Sequence, residues 1–106
     1  MTPADELRAA ADKLRHDSAA AHRAPPAPWI VTDENVARCA DGMIVADRSG
    51  TDHPAERADL PYIAAMDPAV GLALAAWLEA AAEDARQIGA SPHALAVARQ
   101  LLGDQP

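Results

Sequence analysis

Three times along this chain an oxygen-bearing side chain stands directly before a proline: Thr2-Pro3, Asp67-Pro68 and Ser91-Pro92. Each pair is a helix start. The oxygen accepts a backbone N–H that the first turn leaves without a partner, and proline supplies the helical φ while having no N–H to leave orphaned. Asp5, three residues after Thr2, completes a weaker form of the capping box. These signals predict helices over about residues 3–22, 68–88 and 92–102. Gly89 stands where a left-handed turn closes the second of them.

The apolar pattern predicts which face each helix buries. The first has a thin stripe of Leu7, Ala10, Ala11, Leu14 and Ala21, too poor to hold a helix without a larger partner surface. The long helix has Val70, Leu74, Trp77, Leu78, Ala81, Ala85 and Ile88 at helical spacing. The last turns Leu95, Ala98, Leu101 and Leu102 inward. The turn Ile88-Gly89-Ala90-Ser91 makes the last two an αα-hairpin.

Between the first two helices the period changes. The proline-rich connector of residues 24–28 ends helicity. Residues 29–47 hold three short β-favouring runs, separated by Asp33-Glu34-Asn35 and by Asp41-Gly42, the stronger hairpin signal. They predict an antiparallel meander of two to three strands that needs a helix to cover its apolar face. Residues 48–58 read as a polar loop, and residues 60–66 as a short helix stopped by Asp67-Pro68. The expected architecture is α+β: an N-terminal helix, the meander, then two to three C-terminal helices in one small domain, 1–106.

Composition bears on both core and function. About a quarter of the residues are alanine, phenylalanine is absent, and Trp29, Tyr62 and Trp77 are the only aromatic residues. Large rings bury more surface than any other side chain, so these three are expected as structural core anchors. On that reading, Trp29→Ala or Trp77→Ala costs about 3–5 kcal/mol. The formal charge of −7, with no basic block, points away from nucleic acid. A single cysteine excludes an internal disulfide and a cysteine-based zinc site. The longest uncharged apolar stretch, Ala69 to Leu78, is half the roughly 20 residues a membrane span needs. The first residues are acidic where an export signal is basic, so no membrane association and a cytoplasmic location are expected.

Chemistry-bearing residues are sparse. His16 and His22 are six residues apart and point to different sides of their helix, whereas Asp12 and His16 share a face. With Cys39 or His53 that pair forms a conceivable zinc site, although the spacing does not demand one; His93 stands apart. Glu79 and Glu83 would form a paired-acid site only within a cleft that raises one pKa, and a solvated helix face explains them, with Asp84, as well. Cys39 in a β-favouring run reads as a small buried hydrophobe. No nucleophile elbow or phosphate-binding glycine loop is present. No catalytic residue and no cofactor follow. Leu72, Ala75, Ala76 and Glu79 lie off the main stripe of the long helix and form a second strip suited to a partner protein or a homodimer.

Four segments also carry a family resemblance. Pro26-Ala27-Pro28-Trp29-Ile30-Val31 resembles a "PGPW-hydrophobic" motif, with Ala27 in place of the glycine. The segment from Tyr62-Ile63-Ala64-Ala65 through Pro68 to Leu78 resembles a "YIAA-x-x-P" motif. With Asp41-Gly42 between them and His93 to Arg99 after them, the order resembles that of small actinobacterial and actinophage proteins of unknown function. The first two motifs are also similar to Ead-type accessory proteins of temperate phages. The resemblance implies a phage or mobile-element context and brings no catalytic residue with it. The expected role is therefore a non-enzymatic accessory or regulatory protein acting through protein–protein contacts. The alternatives are a small metal-binding protein or enzyme, and an acidic inhibitor.

Overall fold

The computed structural model describes residues 1–32, 35–50 and 57–103. Its elements are α1 (Pro3–Arg23), β1 (Ile30–Val31), β2 (Val36–Arg38), β3 (Ile44–Asp47), α2 (Asp59–Ala65), α3 (Pro68–Gln87) and α4 (Pro92–Leu102). The architecture is α+β, with an N-terminal helix, a three-stranded antiparallel sheet in the order β1-β2-β3, and three helices after it among the described residues. No single described helix is long and apolar enough to cross a membrane.

All three cap–proline starts are built as helix caps. Asp5 N–H donates to Thr2 Oγ1 and Thr2 N–H donates back to Asp5 Oδ2, each at 3.1 Å, a reciprocal capping box. Asp67 Oδ1 accepts the N–H groups of Ala69 (3.0 Å) and Val70 (3.1 Å). Ser91 Oγ accepts Ala94 N–H at 3.3 Å. At the far end of α4, Gly103 adopts φ +73°, a left-handed conformation open to glycine at little cost.

Length alone predicts one core, whereas the contacts divide the chain into two compact units: Met1–Asp17 with Gly71–Pro106, and Ser18–Val70. In the first unit, Leu7, Ala10 and Ala11 of α1 pack with Leu78, Ala81 and Ala82 of α3 and with Ala94 and Ala98 of α4. Leu14, Ala85, Leu95, Leu101 and Leu102 border this cluster. Six of its eight buried members are alanines. Small side chains let helix axes come close, and interaxial distance follows the side chains at the contact. Most of the buried side chains here are thus the smallest that carry a Cβ.

That choice corrects the face expected for α3. The buried positions are Pro68, Gly71, Ala75, Leu78, Ala81 and Ala82, whereas Val70 and Trp77, and Ile88 just past the helix end, are exposed. Leu78 and Ala81 stay inward as expected, and the centre of the stripe is turned by roughly 70°. Alanine occurs on every side of this helix, so apolar spacing alone does not set the phase, and the packing selects the side that admits close approach.

The expected aromatic anchors are corrected with it. Trp77 is 44% exposed and Tyr62 is 70% exposed. Trp77 is one position, and Tyr62 two positions, from the leucine that its helix buries, Leu78 and Leu60 respectively, and each ring is carried round to the outside. Trp29 alone is half-buried, its indole N–H donating to the Pro25 carbonyl at 2.7 Å.

In the second unit, α2 lies against β1 and β2. Consecutive residues Val36 and Ala37 of β2 are both buried, so both faces of the central strand are covered. The expected turn at Asp41-Gly42 joins β2 to β3, with Gly42 at φ +84°; Gly42 N–H donates to Cys39 O, and Cys39 N–H to Met43 O. A register shift beside Arg38 leaves Val45 as an extra residue on β3, a β-bulge. Asn35, at φ +61°, closes the other turn through its N–H to Thr32 O. Asp33 and Glu34 of that turn, and residues 51–56 of the expected polar loop, lie outside the described residues. In the connector, Ala27 N–H donates to His22 Nδ1 and Ala40 N–H to Pro26 O.

Candidate functional site

A groove opens on the first unit where α3 hands over to α4. Trp77, Ala80, Ala81 and Asp84 of α3, with Ile88 in the turn just past its end, step by three, one, three and four residues and lie along one side, Ile88 N–H donating to Asp84 O at 2.8 Å. Gly89, at φ +99°, reverses the chain in a conformation that suits glycine. Ala90 and Ser91 continue the rim, and the cap at Ser91 sets the start of α4 so that Ala94 closes the floor. Because alanines make the floor and walls, no side chain fills the space, and a volume of about 410 Å³ is left. Trp77 stands at one end and Ile88, 84% exposed, at the other. A tryptophan and an isoleucine open to water on one face are the part of this unit that gains most from being covered.

The charges around the groove are unevenly satisfied. Glu6 pairs with Arg99 at 3.1 Å, Asp17 with Lys13 at 3.1 Å, Asp12 with Arg15 at 3.5 Å and Glu83 with Arg86 at 3.6 Å. Glu79 also pairs with Arg15. Asp5 is engaged in the capping box, where hydrogen bonding from Thr2, its backbone N–H first, holds the carboxyl below the ordinary 3.8. Among the described carboxylates of this unit, Asp84 alone has neither a cation nor a hydrogen-bond donor for its side chain, and it stands on the groove wall. Each surface pair contributes little to stability, so this unevenness matters for recognition more than for folding.

The residues singled out from the sequence fall elsewhere. Of the strip Leu72, Ala75, Ala76 and Glu79, Ala75 is fully buried, Leu72 is half-buried and Glu79 is taken by Arg15, so the four do not form one exposed apolar surface. Glu79 and Glu83 have separate partners, and Glu83 also accepts the Gln87 amide at 3.1 Å. His16, His22 and His93 are exposed, and His53 lies outside the described residues. Among the described residues no three His, Cys, Asp or Glu side chains come together in a way that could hold a metal. Cys39 is buried as a free thiol.

A face that mixes Trp77 and Ile88 with Ala80, Ala81 and an acid is legible as a surface once Leu78 is recognised as the buried neighbour. Compared with protein-family models, curated proteins and solved structures, the chain matches none.

Proposed function

We propose that this protein is a non-enzymatic accessory or regulatory protein that acts by binding another protein through the α3–α4 groove. The observation that carries the reading is the exposure of Trp77 and Ile88 at the two ends of one alanine-floored groove. Aromatic side chains supply large contact area at small entropic cost and recur as binding hot spots, most often with a pocket beside them. The resemblance of the Pro26–Val31 and Tyr62–Leu78 segments to phage accessory proteins gives the setting of this proposal, a phage or mobile element. A cytoplasmic site of action belongs to the same reading.

Affinity capture from the native host tests it. Wild-type bait retains a discrete partner, and the double variant Trp77→Ala, Ile88→Asp loses it while unfolding at the same urea concentration. Retention of the same partner by the double variant overturns the reading.

A further inference from the structure

The groove has a chemical preference beyond its apolar ends, and the inference drawn from it rests on the contact reading above. We infer that its occupant is a basic amphipathic segment of a partner protein, one that lays apolar side chains between Trp77 and Ile88 and sets an arginine or lysine against Asp84. Charge complementarity carries this choice of occupant. Six of the seven described carboxylates of this unit are answered within the chain, five by cations and Asp5 by its cap; the seventh, Asp84, is left open inside the groove.

Trp77 and Asp84 are two helical turns apart on the same face, about 10 Å along the axis. A long cationic side chain reaching along that face meets an indole ring and a carboxylate in succession. Each favours a cation, the ring through its quadrupole and the carboxylate through a charge-assisted hydrogen bond. The net charge of −7 steers a basic partner towards the chain and disfavours a second copy of it. An acidic segment would place its own carboxylates against Asp84 in a partly desolvated groove.

The two indole N–H signals in a proton–nitrogen correlation spectrum provide the test. The probes are three 18-residue helical peptides with the same Leu/Ala face and a polar face of Arg, Gln or Glu. The Arg peptide is expected to shift the Trp77 indole and the Ile88 amide while leaving the Trp29 indole in place, and to bind about tenfold tighter than the Gln peptide. Asp84→Asn is expected to remove that preference. Glu83→Gln, which deletes the same charge beside the groove, is expected to keep it. Equal binding of the Arg and Gln peptides at Trp77, or an equal effect of the two variants, overturns the basic-segment inference and leaves the contact reading standing. No response of Trp77 to any peptide overturns both. A Trp77 shift that depends on protein concentration without peptide identifies a second copy as the occupant and overturns the inference.

Discussion

Asp67 and Trp29, 38 residues apart in sequence, are joined through a single carboxylate: Asp67 Oδ2 accepts the backbone N–H of Trp29 at 3.4 Å while Oδ1 caps the first turn of α3. One side chain thus satisfies three backbone donors and ties the start of the meander to the Asp67-Pro68 corner. Asp67→Ala is expected to cost about 1–2 kcal/mol, the upper part of the range for a lost N-cap. Asp67→Asn keeps an acceptor oxygen and is expected to lose less than half as much. Urea titration of both variants checks the pair; equal losses would show that charge, and not capping geometry, holds the corner.

The capping box at the other end of α1 has a pH signature. Hydrogen bonds from the Thr2 backbone and hydroxyl lower the folded-state pKa of Asp5 below 3.8. The unfolded chain therefore binds this proton first as pH falls, so the contribution is complete above about pH 5 and is lost as pH drops through the folded pKa. Carboxyl titration by NMR is expected to place the Asp5 midpoint below 3.8, and Thr2→Ala is expected to raise it. An unchanged midpoint in Thr2→Ala would contradict the assignment.

The alanine core predicts intolerance of added volume. Ala98, fully buried on α4, sits among Ala94, Leu78 and the α1 alanines. Ala98→Leu is expected to destabilise by about 1–3 kcal/mol through overpacking, although it adds apolar surface. Stabilisation in a thermal melt would mean that the helices are not in close contact at this position.

Much of this fold is legible in sequence because its signals are local. A capping oxygen beside proline, Asp41-Gly42 between β-favouring runs, and Gly89 after a helical stretch each act within a few residues, and each marks a boundary seen in the structure. The phase of α3 is not local. Trp77 is the bulkiest residue of this helix and Ala75 and Ala82 are among the smallest, yet Trp77 is exposed and the two alanines are enclosed beside Leu78. Bulk ranks the gain from burying a residue alone, whereas packing depends on what the facing helices offer, here Leu7, Ala10, Ala94 and Ala98. The groove was hidden for the same reason, since its lining is read as core once the phase is taken from bulk. Pairing of Arg15 with Glu79 spans 64 residues and has no sequence signature, which is why Glu79 belonged to the expected interface.

α3 buries Leu78 and presents Trp77 to solvent, and a urea titration of paired variants reads both positions at once. Leu78→Ala is expected to cost about 2–5 kcal/mol, as for a leucine removed from a closed core. Trp77→Ala is expected to cost less than about 1 kcal/mol, as for an exposed position outside the core cluster. A loss at Trp77 equal to or greater than that at Leu78 would place the ring in the core and overturn this packing of α3.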